Sequence, residues 1–197
     1  MTYLKPLLVL AVVGFALTRM LSSNAIERPP GELAPDAPEQ RLVERAEQIS
    51  VGDFLLQPRA HYEIEARVLS VERYRTDTGA ALAPIDFAVG WGPMSDSDNL
   101  QHYRVTQGAR FATLYPDDDA IELATALRFS ANMHLIPANS IVRDTLLSTK
   151  PGHIVILDGY LVSASRDDGF TWNTSLSRDD TGNGACELMY VRSVQQR

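Results

Sequence analysis

Of 197 residues, 25 are Asp or Glu and 18 are Lys or Arg, a formal net charge of −7. A chain this acidic repels phosphate backbones, and it has no basic stripe interleaved with aromatics, so nucleic acid is not an expected partner. Cys186 is the single cysteine, which excludes an intrachain disulfide; with 45% hydrophobic residues the chain can instead be held by one ordinary core.

Lys5 precedes an unbroken apolar run from Pro6 to Leu17, and no acid occurs before Glu27. A run of this length suits the h-region of an export signal, whereas a spanning helix needs about 20 apolar residues. Ser23-Asn24-Ala25 offers the small-x-small pattern that signal peptidase accepts, which would leave Ile26 as the mature N-terminus. The alternative is a retained anchor over residues 4–21, continued through Met20 and Leu21 with Arg19 snorkelling to the interface. On either reading residues 1–25 are a signal peptide or membrane anchor. The remainder is expected in the cell envelope, on the periplasmic side, soluble or tethered to the inner membrane. Residues 26–38 hold four prolines and read as an extended linker that would hold the following domain, 39–197, off the membrane.

Leu42, Val43, Ala46 and Ile49 recur at helical spacing and predict a short amphipathic helix over 39–49. From Ala60 the period changes to two: Tyr62, Ile64, Ala66 and Val68 alternate with His61, Glu63, Glu65 and Arg67, a half-buried strand. Residues 75–101 read as a long loop with a short apolar insert at 85–89. The stretch 102–115 reads as a hairpin turning at Gln107-Gly108. A helix is expected over 121–129, its first turn favoured by Asp117, Asp118 and Asp119. Asn139 is expected to cap a second helix ending near Leu147. Three strands close the chain, at 153–163, 169–175 and 185–194. The run around Ile154 to Val162 is too continuous for a one-sided strand and is expected to be buried on both faces. The fold class is therefore α+β and mostly β. It should be a single domain, an antiparallel sheet or small partly open barrel with two or three short helices.

Three stretches interrupt this pattern: Gly90-Trp-Gly-Pro-Met-Ser-Asp96, Ser130-Ala-Asn-Met-His-Leu-Ile-Pro137 and Ser175 through Cys186-Glu187. Together they resemble the signature stretches of an uncharacterised family of small exported bacterial proteins, over most of residues 58–192. The resemblance implies shared architecture and export; it implies no activity.

The chemistry available to these stretches is of three kinds. Cys186 and His134 suggest a thiol–imidazole pair for acyl transfer, with Asp180 or Asn132 orienting the imidazole and Gly182 and Gly184 supplying oxyanion-hole N–H groups. The order His before Cys is similar to that of the L,D-transpeptidases, although Glu187 follows the cysteine where those enzymes have Arg. Cys186 pointing into the core is the plainer alternative. Asp179, Thr181, Asn183 and Glu187 partly fit a calcium loop, but Tyr190 stands where a bidentate Glu is needed. A hairpin turn with Asx bonds explains them as well. His61, His102, His134 and His153 show no ligand spacing, so no metal and no cofactor are expected. Finally, Trp91 between two glycines is either an aromatic platform for a glycan or partner segment or a plug for a barrel end, while Trp172 is expected in the core. The binding set is then Trp91, Asp96, Asn132, Arg178, Gly182 and Gly184, and the catalytic set Cys186, His134 and Asp180. All are expected to meet on one surface, as a shared site requires. The leading expectation is a non-catalytic envelope domain that binds a protein or cell-wall component. The alternative is a Cys/His acyl-transfer or hydrolytic enzyme acting on peptidoglycan or a peptide.

Overall fold

Polar and apolar residues alternate through a 20-residue strand, β3 (Phe54–Arg73), and every second side chain from Phe54 to Val68 is buried. The computed structural model describes residues 25–177 and 186–197. Before β3 come two short strands, β1 (Glu39–Leu42) and β2 (Ile49–Val51); after it come β4 (Ile85–Gly90), a 3-10 turn (Gly92–Ser95) and α1 (Ser97–Leu100). The hairpin β5 (Tyr103–Gly108) and β6 (Phe111–Pro116) leads to α2 (Leu123–Arg128), β7 (Ser130–Pro137) and α3 (Ser140–Ser148). The chain ends with β8 (Ile154–Ser165), β9 (Thr171–Asn173) and β10 (Glu187–Gln196).

Five strands pair in a ring. β3 lies between β4 and β8, β4 pairs with β7, β7 pairs in parallel with β10, and β10 returns to β8. All other pairings in the ring are antiparallel. The result is an irregular, partly open Greek-key barrel, the architecture of the OB-fold, with α3 between its third and fourth strands. Its interior is apolar: Tyr62, Ile64, Phe87, Val89, Met133, Leu135, Leu157, Leu161 and Met189 are all fully buried there. β8 is buried along its interior face at Val155, Leu157 and Leu161; on the other face, expected to be buried as well, Ile154 and Val162 are covered but Ile156, Asp158 and Tyr160 are half-buried. Asn139 caps α3 as expected, its Oδ1 accepting the Val142 N–H at 3.0 Å.

The structure departs from the sequence reading in several elements. Residues 39–49 form no helix; β1 and β2 pair antiparallel with β3, and Leu42 is 71% exposed. Four apolar positions in that stretch are too few to outweigh an open strand edge on β3. The 85–89 insert is β4, a central strand buried at every position, and the 130–137 stretch is β7, also central. The hairpin turns at Ala109-Arg110 rather than Gln107-Gly108, with both residues at positive φ (49° and 70°). Residues 26–34 are extended without strand or helix, but they are no free spacer. Ile26 N–H donates to Pro151 O, Leu33 and Ala34 N–H donate to Ser95 Oγ, and Gly92 N–H donates to the carbonyl of the fully buried Ala34. Among the described residues no helix is long and apolar enough to cross a membrane.

Candidate functional site

Alternation along β4 and β7 sends Phe87, Val89, Met133 and Leu135 into the barrel and leaves Asp86, Asn132 and His134 on the outer face. That face is not bathed in solvent. The tip of the β5–β6 hairpin, the 74–84 loop and β9 close over it, so Asp86 is fully buried and His134 only 3% exposed. Asp86 and His134 are direct cross-strand partners.

Arg110, at the hairpin tip, holds this arrangement together. Its Nη1 donates to Asp86 Oδ1 at 2.8 Å and to Ala83 O at 2.9 Å. Nε and Nη2 fork onto the two oxygens of Asp77, at 3.0 and 2.8 Å. The guanidinium lies 3.6 Å from the Tyr74 ring centroid, with the Trp172 ring 5.3 Å away on another side. The Arg110 N–H donates to Tyr74 Oη at 3.0 Å, and its carbonyl accepts Asn132 Nδ2 at 3.0 Å. Gln107 from β5 completes the seam by donating to Asn132 Oδ1 at 2.8 Å. Burying the Asp86 carboxylate alone would cost several kcal/mol, so the paired guanidinium is a condition of the fold here. Ala109 and Arg110 both occupy the left-handed region in the pattern of a type I′ turn, where Asn-Gly is the usual pair. Backbone strain of this kind concentrates at functional sites.

His134 Nδ1 lies 2.9 Å from Asp86 Oδ2, at ion-pair distance but outside hydrogen-bond geometry for both atoms. The ring packs against Trp172, centroids 4.6 Å apart. Trp172 in turn needs Gly79, where a Cβ would come within 2.5 Å of the indole. Two groups titrate away from their ordinary values. Burial pushes the Tyr74 phenol up to about 12, against the Arg110 N–H bond that lowers it. Burial raises the Asp77 carboxyl, but the Arg110 hydrogen bonds and charge outweigh this and hold it below the usual range.

Beside this network opens a cleft of about 390 Å³ lined by Arg110, Phe111, His134, Thr171, Trp172, Asn173 and Cys186. That size is at the lower end of ligand sites. Phe111 is 41% exposed at its mouth. The Cys186 sulfur approaches Asn132 Nδ2 at 3.5 Å and the Arg110 carbonyl at 3.8 Å. In the parallel β7–β10 register His134 stands opposite Leu188, so Cys186 precedes it by two residues. Two strand residues span about 6.6 Å.

Of the residues expected to form one site, Asn132, His134 and Cys186 do meet. Trp91 and Asp96 do not. Trp91 is 2% exposed in the barrel interior, the plug rather than the platform. Asp96 caps α1 through the Asp98 N–H at 2.9 Å and receives the Gly31 N–H at 2.8 Å, so it binds the N-terminal segment instead. Trp172, expected in the core, is half-buried and forms a cleft wall. Arg178, Asp180, Gly182 and Gly184 lie outside the described residues, as does most of the partial calcium loop. Asp86, Arg110, Tyr74 and Asp77 went unread in the sequence. Asp86 carried a signal, being the one charge inside the apolar run Ile85-Asp-Phe-Ala-Val89.

No family model matches the chain, and no curated protein or solved structure is detectably similar to it.

Proposed function

We propose that this is a non-catalytic domain of the bacterial cell envelope that binds a protein or cell-wall component in the Arg110–His134–Trp172 cleft. The observation that carries the reading is convergence. Residues from the β5–β6 hairpin, β7, β9 and the position before β10 line one cleft, and Tyr74, Asp77 and Asp86 from the 74–84 loop and β4 hold its Arg110 from behind, although more than 100 residues separate Tyr74 from Cys186. In barrels of this architecture the second and third strands, with the loops after the first and fourth, form the usual ligand face. Here those elements are β4, β7, the 74–84 loop and the connection that includes β9. This is an argument from fold alone, and the chemistry of the cleft adds to it. The acidic balance of the chain disfavours a nucleic-acid ligand.

The alternative, a Cys/His acyl-transfer enzyme, draws on Cys186 and His134 lining the same cleft. The two-residue offset and the thiol's approach to a backbone carbonyl favour binding over catalysis. A photo-crosslinking residue placed at Phe111, with a control at the exposed Leu42, tests the binding reading in intact envelopes. Adducts should form from 111 and not from 42, and their sensitivity to protease or to lysozyme separates protein from cell wall. Equal labelling from both positions, or none from 111, contradicts it. Cys186→Ser should leave the 111 adduct unchanged, whereas the enzyme reading requires loss of turnover.

A further inference from the structure

The segment after the apolar N-terminal run is built into the domain. Gly152, at φ +91°, lies so close to Ile26 that a Cβ would come within 2.0 Å of the Ile26 carbonyl oxygen. Arg28 Nε donates to Gly152 O at 2.8 Å, and Ser97 Oγ donates to Arg28 O at 2.8 Å. Arg67 lies under the same strap, its Nη1 on Ser97 Oγ at 2.8 Å. Residue 26 is therefore a fixed point on the surface of the domain.

The point of exit has a place in the barrel. Gly152 lies two residues before the start of β8, and β9, which forms one wall of the cleft, pairs with the far end of β8 at Ser163–Ser165. Ile154 to Ser165 spans roughly 36 Å as straight strand. Only four residues separate Leu21 from Ile26, five steps along the chain and at most about 18 Å. That reach is close to the radius of gyration of about 15 Å for a domain this size, and shorter than its width. Cations gather around the exit: Arg28 and Arg67 under the strap, the exposed Lys150, and Arg73, whose Nη2 bonds Leu147 O at 2.7 Å. Burial and then the Arg28 charge lower Arg67; burial, then Arg28 and Lys150, lower His153. Against these stand the exposed Glu27 next to Arg28 and Asp96 beside Arg67, while Glu65 is paired with Arg197, so the four basic residues outnumber the two unpaired acids.

We infer that the face around residues 26–28 and 150–153 lies against the phosphate headgroups of the inner membrane, so that the cleft at the other end of β8 points into the periplasm. The inference rests on the retained-anchor reading of residues 4–21. Such an acidic chain would otherwise be repelled by an anionic bilayer, and the local cations at the exit offset this where the tether allows no retreat.

The test uses the full-length chain in vesicles of mixed phosphatidylglycerol and phosphatidylcholine, on a Cys186→Ser background. An environment-sensitive dye is placed at Glu27→Cys or at Thr171→Cys, and lipids brominated near the headgroup serve as quencher. Quenching is expected at 27 and not at 171, and adding Lys150→Glu should reduce the apposed population about fivefold. Equal quenching at the two positions, or quenching at 171 alone, overturns the orientation. The N-terminal sequence of the protein from envelopes separates the two ways of failing. Ile26 there removes the anchor and the inference with it, whereas Met1 with equal quenching removes the orientation alone.

Discussion

The two faces of β4 and β7 are equally dry and are held by different forces. Inside the barrel, Phe87, Met133 and Leu135 are fully buried among aliphatic neighbours. On the outer face Asp86 is just as buried, yet it is held by one guanidinium and one imidazole. The interior tolerates a change of shape within a kcal/mol or two, since apolar packing is non-directional. The outer face does not tolerate loss of a partner, because the remaining charge has no water to replace it. The difference suggests a division of labour in which the interior stabilises the barrel and the outer face fixes the geometry of the cleft.

The comparison is broken most directly by deleting one member on each side. Asp86→Ala takes from Arg110 Nη1 its buried carboxylate and leaves the guanidinium on the partly exposed Asp77 alone, and should cost about 3 kcal/mol in urea unfolding. Leu157→Ala, in the interior, should cost about 2–5 kcal/mol. A loss below 1 kcal/mol for Asp86→Ala would mean that the ionic cluster is solvated and not a structural unit.

The sequence showed the interior far better than the outer face. Period-two alternation in β3 and the apolar run of β8 located two ring strands, and Asn139 located the start of α3. β7 was missed because its polar residues face a second layer of chain, so Asn132 and His134 looked like loop residues. The two tryptophans show the limit of local pattern, which left Trp91 open between platform and plug and placed Trp172 in the core. Flanking glycines allowed Trp91 either fate and alternation made Trp172 look buried, but what decides exposure is whether other elements cover the residue. Arg110 had no local signal: its partners come from Asp77, Asp86 and Tyr74, in other elements, and only the folded topology brings them together.

Titration sharpens the contrast with a smaller effect. Tyr74 is held neutral, with its folded pKa raised to about 12. Its contribution is fully present below the unfolded value of about 10 and is lost as pH rises through the folded one. The urea midpoint should therefore fall between about pH 10 and pH 12, and Tyr74→Phe should flatten that part of the profile. An unchanged alkaline slope in the variant would show that the phenol is not in the network.

The smallest expected effect lies at Ala109, whose neighbour at the hairpin tip should respond in the opposite direction and far more strongly. Ala109→Gly relieves a left-handed alanine and should stabilise by about 1 kcal/mol. Arg110→Gly relieves the same kind of strain but removes the guanidinium, and should be strongly destabilising. Destabilisation by Ala109→Gly would mean that the turn is not strained.

The central claim is that the covered outer face presents a cleft for a ligand and is not merely a sealed polar network. The most direct measurement is the crosslinked fraction from position 111 per folded molecule, with and without Trp172→Ala, the folded fraction being measured by protease resistance in the same envelopes. Trp172 is a half-buried cleft wall, and removing a buried aromatic anchor from a binding site commonly costs tenfold or more in affinity. The account predicts a fall of about tenfold in crosslinking per folded molecule. Unchanged crosslinking per folded molecule, with only stability reduced, would contradict it.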